Sequence, residues 1–308
     1  LNDLQGRRLP DQVKALRRAL AQELGFVLPS VRILDNVALP HNGYALKIRE
    51  LEAGQGELRI GKHLAMDPSG RGVQLPGEPT REPAFGLEAM RNYTVVDPAT
   101  VLSTHLTEVV KEHLPDLLTY AELRKLVKEL PKDSQDLMND VVPTHITWSG
   151  VQRILQNLLK ERVSIRDLSA ILEAIAEIAP ATTDLLLITE HVRARLARQL
   201  CFQFRNAEGA LPIITLSPSW EQTLGESLVG ERHERQLSLA PSKLHQFVQD
   251  IRAAFERAAM AGETPVLLTS PGVRPYVRGL IERFRPSTPV MSQAEVHAKI
   301  RLKAVAQV

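Results

Sequence analysis

The stretch Ile213-Ile214-Thr215-Leu216-Ser217-Pro218-Ser219-Trp220 decides how the last third of the chain folds. A β-branched apolar run breaks at Ser-Pro and gives way to a helical pattern over 219 to 228. A second apolar run, Val266-Leu267-Leu268, follows a helical pattern over 241 to 261. Another helical pattern over 275 to 284 leads to Val290 and to a tail in which Ile300 and Leu302 alternate with polar neighbours. Strand alternating with helix predicts a small α/β domain with a mixed sheet. Upstream, residues 119 to 203 read as one helix after another with almost no strand pattern. Thr119 with Glu122, and Ser164 with Asp167, have the spacing of capping-box starts, while Pro131 and Pro180 close the helices ahead of them.

The first third is mixed. Val13, Leu16, Leu20 and Leu24 recur on one helical face and Gly25 offers a C-terminal cap. Val31 to Leu34 and Tyr44 to Ile48 read as paired strands, with Asn42-Gly43 as a turn signal. From Gly54 to Pro83 the chain is rich in Gly and Pro, yet Leu58, Ile60, Leu64 and Met66 still alternate, which suggests a small irregular module. Thr94 to Val96 is a strand, after which Asp97-Pro98 caps a helix carrying Val101, Leu102, Leu106, Val109 and Val110.

Composition narrows the function classes. The 308 residues, 44% hydrophobic and 24% charged, suffice for about two ordinary domains. Thirty-eight Lys and Arg against 36 Asp and Glu leave a net charge of +2, too small a field to draw in nucleic acid or anionic lipid. Aromatic residues make up only 4%, so base-stacking platforms are scarce. The lone Cys201 excludes an internal disulfide framework and a multi-thiolate zinc site, and it fits a reducing compartment. No run approaches the length of a membrane span, and Leu1-Asn2-Asp3-Leu4 lacks the pattern of a signal peptide, so a soluble piece is expected.

Catalytic signatures are weak. Gly56-Glu57-Leu58-Arg59-Ile60-Gly61-Lys62-His63 has phosphate-loop spacing but puts His63 where magnesium needs Ser or Thr. It then runs into the Asp67-Pro68 turn instead of a helix, so a turn between two strands is the better reading and a nucleotide-dependent enzyme the remote alternative. No two histidines have metal-ligand spacing, and His105 reads as a buried core histidine with a backbone partner. Cys201, among Leu200, Phe202 and Phe204, reads as buried and inert. Arg193, Arg195 and Arg198 read as solvated cations that complement a helix C-terminus. With no Gly-x-Ser-x-Gly elbow either, the pattern favours a binding or assembly role over catalysis and implies no cofactor or metal.

Longer segments carry more. Residues 75 to 87, Leu-Pro-Gly-Glu-Pro-Thr-Arg-Glu-Pro-Ala-Phe-Gly-Leu, and 93 to 106, Tyr-Thr-Val-Val-Asp-Pro-Ala-Thr-Val-Leu-Ser-Thr-His-Leu, resemble the cytoplasmic domain of the FlhA family of type III export gates. Glu23 to Phe26, Val31 to Asn36, Leu155 to Leu159, Val163 to Asp167, Ile171 to Pro180 and Pro265 to Leu268 agree with it. The Arg-Pro-Tyr and Ser-Gln-Ala-Glu-Val-His segments resemble the flagellar branch more than the injectisome branch.

The resemblance implies four subdomains: residues 1 to 60 plus 98 to 117, an inserted second at 61 to 97, a helical third at 118 to 197, and an α/β fourth at 198 to 308. It implies a docking platform for export chaperone–substrate complexes that forms a nine-membered ring and meets the ATPase complex stalk and the switch protein, with no nucleic acid. It also implies a place at the cytoplasmic face of the bacterial inner membrane, below transmembrane helices N-terminal to Leu1. The docking surface carried over lies between the first two subdomains: Met66, Pro68, Phe85, Leu87, Val96 and Val101 as an apolar floor, Phe85 as anchor, with Glu82 and Thr104 at the rim. The family carries a longer segment between Met90 and Tyr93, so this chain either has a deletion there or is numbered across a loop, and the edge of that surface stays open.

Overall fold

In the computed structural model, which describes residues 8–66, 94–230 and 235–308 and leaves aside the side chains of 65, 66 and 94, the chain divides into two units. The first is Leu1–Thr119 with Ser164–Arg166; the second is Tyr120–Val163 with Asp167–Val308.

The first unit opens with α1 (Leu9–Leu24), whose Val13, Leu20 and Leu24 are buried as their spacing requires. Gly25 ends it at φ 72°, and a Cβ there would lie 2.2 Å from the Cα of Arg166, so both the backbone angle and the neighbouring chain demand glycine. The backbone N–H of Ile165 donates to the Leu24 carbonyl at 2.8 Å, tying this three-residue stretch to the end of α1. Strand β1 (Gly43–Ile48) pairs antiparallel with β2 (Leu51–Glu57) across a two-residue loop in which Arg49 and Glu50 both have positive φ, the geometry of a type I′ turn. Strand β3 (Leu64–Met66) pairs antiparallel with β4 (Thr94–Val96). Helices α2 (Pro98–Glu112) and α3 (Leu114–Leu117) complete the unit, with α2 packed on α1 and β2.

Two expectations change here. Residues 31 to 34 form no strand; Ile33 and Leu34 are 58% and 82% exposed. The partner of β1 is instead Leu-Glu-Ala-Gly-Gln-Gly-Glu, poor in β-formers, because the adjacent two-residue turn pairs Ile48 with Leu51 and sets the register locally.

The second unit begins with helices: α4 (Tyr120–Lys128), α5 (Lys132–Val141), α6 (Trp148–Lys160), α7 (Leu168–Ile178), α8 (Leu185–Arg195) and α9 (Ala197–Phe204). Thr147, Asp167 and Asp184 accept hydrogen bonds from the first amides of α6, α7 and α8. The cap of α7 is therefore Asp167, three residues beyond the expected Ser164; its carboxylate accepts from the Ala170 amide at 3.2 Å. Next come β5 (Ala210–Thr215), α10 (Pro218–Glu226), the small pair β6 (Leu228–Val229) and β7 (Gln236–Leu237), and α11 (Pro241–Met260). Strand β8 (Val266–Thr269), α12 (Arg274–Ile281), β9 (Val290–Ser292) and β10 (Arg301–Gln307) close the chain. The sheet has the order β10-β5-β8-β9. All three pairings are parallel, not mixed as expected, since each return passes through a helix or a long connection. Trp220, Leu224, Phe247, Ile251, Phe255, Val277 and Ile281 from α10, α11 and α12 bury one continuous core against Ile214, Leu267 and Val290.

Candidate functional site

Of the eight residues carried over for docking, Val96, Val101 and Thr104 are described with their side chains and Met66 by its backbone; Pro68, Glu82, Phe85 and Leu87 lie outside the described residues. Met66 stands opposite Thr94 in the β3–β4 pair, and Leu64, buried, opposite Val96. Val96 passes directly into Asp97, whose buried carboxylate accepts from the Thr100 amide at 2.8 Å and from the Thr100 hydroxyl at 2.9 Å. That cap fixes the angle at which α2 leaves the strand. Val101 and Thr104, three residues apart on α2, share a face, Val101 half-buried and Thr104 exposed.

The rest of α2 is held in place. Ala99, Val109 and Val110 are buried, and the Tyr44 hydroxyl hydrogen-bonds His105 Nδ1 at 2.6 Å. His105 is thus half-buried with a side-chain partner from β1, not the backbone partner expected. A Cβ on Gly56 would meet the Tyr44 hydroxyl at 2.6 Å, so this glycine exists to let the tyrosine ring cross β2. The same residue opens the phosphate-loop-like motif. Gly56 lies in a strand and Lys62 leads into strand β3, so this motif does not open a helix whose amides could cradle a phosphate.

A feature the sequence reading missed adjoins this helix. Leu9 and Val13 of α1, Leu102 and Leu106 of α2, Leu46 of β1 and the exposed run Val31, Ile33, Leu34 and Val37 line a cavity of about 440 Å³. Its only sequence signal was the apolar alternation at 31 to 34, which reads equally well as a strand.

Perturbed ionisable groups sit in the second unit. Arg274, 1% exposed, is clamped by two carboxylates: Nε and Nη2 donate to Glu190, and Nη1 and Nη2 donate to Glu161 at 2.7 and 3.0 Å. Arg193, expected to be solvated, is 2% exposed; its Nε donates to Glu295, and its Nη1 lies 3.1 Å from Glu161 but off the hydrogen-bonding direction. Arg278 adds a third guanidinium 3.9 Å from Glu161 and donates to the carbonyls of Thr288 and Pro286. Burial alone would raise the Glu161 carboxyl, yet the three arginines outweigh it and hold its pKa at about 2. Around Glu190 burial prevails over Arg274 and the pKa rises. Three cations and three anions balance one another, with every guanidinium also donating to backbone or carboxylate, which is the chemistry of a tie between elements and not of an acid–base pair. Cys201 is buried and its thiol pKa is pushed up by that burial, so it is a poor nucleophile. Among the described residues, no three His, Cys, Asp or Glu side chains are grouped to hold a metal ion, and no helix is long and apolar enough to cross a membrane.

The sequence pattern of the FHIPEP family matches residues 1–301. The "Flagellar biosynthesis protein FlhA" of Caulobacter vibrioides is 58% identical over 320 aligned positions, twelve more than the 308 residues here. That alignment takes in 100% of this chain and 46% of the relative, so the chain spans less than half of that protein's length. Among solved structures, the Chlamydia pneumoniae CdsV protein superposes with a TM-score of 0.85 at 24% identity, covering 100% of this chain and 93% of that one. The nonameric EPEC SctV-C superposes with a TM-score of 0.79 at 20% identity, covering 97% and 94%. These two likenesses establish the fold.

Proposed function

Because the chain belongs to the FHIPEP family, we propose that it is the part of a flagellar type III export gate that receives export substrates with their chaperones and passes them to the membrane gate. The docking surface takes in Val101 and Thr104 on α2, Val96 and Met66 of the β3–β4 pair, and Pro68, Glu82, Phe85 and Leu87 as the resemblance implies. The observation that carries this reading is the construction of α2. A buried cap at Asp97, the Tyr44–His105 bond and the packing of Val109 and Val110 hold the helix, and among the described residues its Val101–Thr104 face carries an exposed Thr104 beside a half-buried Val101. A rigid helix with one open, partly apolar face suits an incoming amphipathic helix. The division into four subdomains, the attachment to a membrane-spanning region at the cytoplasmic face, the ring of copies, and contacts with the ATPase complex stalk and the switch protein belong to the same proposal. The nonameric state of EPEC SctV-C supports the ring. The flagellar branch is preferred to the injectisome branch because the 58% identical relative is a flagellar protein.

Calorimetric titration with a flagellar chaperone–substrate complex tests the reading. Phe85→Ala is expected to weaken binding by about 2 kcal/mol, the loss of a central anchor, with an unchanged melting temperature. Unaltered affinity in the folded variant removes Phe85 from the surface.

A further inference from the structure

We infer that the cavity of the first unit is a groove for one extended peptide segment of a partner protein, which adds to this chain as a β-strand. The walls of that cavity, about 440 Å³ in volume, are of two kinds. Helices α1 and α2 each contribute residues four apart, Leu9 with Val13 and Leu102 with Leu106, so side chains of one helical face form those walls. The other two walls are unbroken stretches of chain, residues 31–37 and 43–46. Residues 27 to 35 take no helix or turn and no positive φ, and 43 to 46 belong to strand β1. In such backbone successive side chains point to opposite sides, so a wall that takes in every residue presents the edge of its main chain.

Both main-chain walls are bare. From 29 to 35 no backbone amide or carbonyl has a hydrogen-bond partner among the described residues, and β1 pairs there with β2 alone. The bare run is nevertheless fixed at its ends. Ahead of it Phe26 and Leu28 are buried, and the Leu28 carbonyl accepts from Arg17 Nε at 2.9 Å. Beyond it the Leu39 amide donates to the Asn36 carbonyl at 3.3 Å and the Gly43 amide to the Pro40 carbonyl at 2.9 Å. Held at both ends and unpaired between, the run is a preformed wall and not a strap free to swing onto β1. The chemistry of the occupant follows from the walls. Bare amides and carbonyls are met by another extended main chain, whereas a helix spends those groups internally and a small apolar molecule has none to offer. An unpaired strand edge is a template of that kind. Apolar side chains at alternate positions of the segment pack on Leu102 and Leu106, and the exposed Ile33 and Leu34 flank its entry. This stripe of α2 is not the one that carries Val101 and Thr104. The groove does not depend on chaperone docking, and its test contains no chaperone, so either reading can fail alone.

The probe is an end-blocked, fluorescein-labelled peptide, Lys-Thr-Val-Thr-Ile-Thr-Val-Lys, titrated with the whole chain and read by anisotropy. Saturable binding is expected. Two further peptides carry N-methyl groups on one or the other set of alternate residues, which removes donors from one edge at a time. At least one of them should bind about tenfold more weakly or worse, since the main chain supplies the affinity. In the chain, Ile33→Pro with Leu34→Pro removes two amides that bond nothing in the folded state, and should weaken the peptide by a similar factor with an unchanged melting temperature. On the native chain, hydrogen exchange at residues 31 to 35 should be fast without peptide and slow with it. Absence of binding up to millimolar peptide, or equal affinity for all three peptides, overturns the inference. Run amides already protected in the free chain would assign the groove to closure on β1, and protection that rises with chain concentration alone would assign it to a second copy; either result overturns it as well.

Discussion

Among the described residues of the first unit the sheets are two strands wide, and the apolar side chains of Ile33, Leu34 and Val37 lie open to solvent. In the second, a four-stranded parallel sheet packs with helices over a continuous core, and a separate cluster of six charged residues has four of them buried, Arg193, Arg274, Arg278 and Glu295. A two-stranded pair is marginal alone and borrows order from the helix it touches, whereas a buried parallel sheet is committed on both faces. The difference is one of coverage: the first unit keeps apolar surface uncovered beside a well-anchored helix α2, and the second buries its sheet under helices. Buried ion pairs sharpen the contrast, because they are costly to desolvate and therefore tolerate no missing partner.

The largest expected effect breaks the second unit. Arg274→Met leaves Glu161 and Glu190 facing each other without the cation that both were built around, and should cost about 4 kcal/mol in urea unfolding. Hydrogen exchange should quicken across the amides of β5, β8 and β9 while those of α1 keep their rate. Adding Glu190→Gln should recover part of the loss, since Glu190 is the carboxylate left without an ion-pair partner while Glu161 keeps Arg193 and Arg278. Equal quickening in α1 would mean that the two units do not differ in what stabilises them.

Acid provides a second and smaller probe of the same cluster. The Glu161 carboxyl, near 4.5 unfolded, titrates at about 2 in the folded chain. A depressed carboxylate adds stability that is complete above the unfolded value and disappears as pH falls toward the folded one, here between about 4.5 and 2, to a total of about 3 kcal/mol. Glu190, raised by burial, acts with the opposite sign: its ionisation costs stability above its unfolded value and stops doing so on protonation. Unfolding midpoints measured down this range should therefore fall more steeply for the native chain than for Glu161→Gln. Parallel slopes would show that the arginines do not hold Glu161 ionised.

The strands and helices of the second unit were legible in the sequence because each is long enough for its periodicity to show. Ile213 to Leu216, Val266 to Leu268 and the helix over 241 to 261 fall where their patterns put them. The direction of pairing was not legible, since nothing in a run such as Val266-Leu267-Leu268 records which neighbour it will join. Arg193 was misread for a related reason. Its spacing suits a solvated helix end, and the carboxylate that buries it, Glu295, arrives from 102 residues away. In the first unit, helix α2 and its Asp97 cap were local and readable, while β2 was hidden by Gly54 and Gly56. Those two glycines answer to the close approach of His105 and Tyr44, contacts that no local pattern announces. Of the proposed docking surface, the face shared by Val101 and Thr104 follows from helical spacing alone; the pairing that places Met66 opposite Thr94 does not.

The smallest expected effect tests the first unit at its tightest point. The β1–β2 loop holds Arg49 at φ 50° and Glu50 at φ 67°, left-handed angles in which an L side chain costs about 1 kcal/mol or more. This loop type favours glycine at its second position, so Glu50→Gly removes one such cost. Glycine also loosens the unfolded chain, which returns part of the gain, and the expected net stabilisation is about 0.5 kcal/mol. Urea unfolding followed by hydrogen exchange should show slower opening of the hairpin amides from Gly43 to Glu57, with rates in the second unit unmoved. Loss of stability would mean that the Glu50 side chain contributes more to the hairpin than its backbone angle costs. The first unit would then owe its shape to contacts and not to a strained turn held in place by the Tyr44–His105 bond.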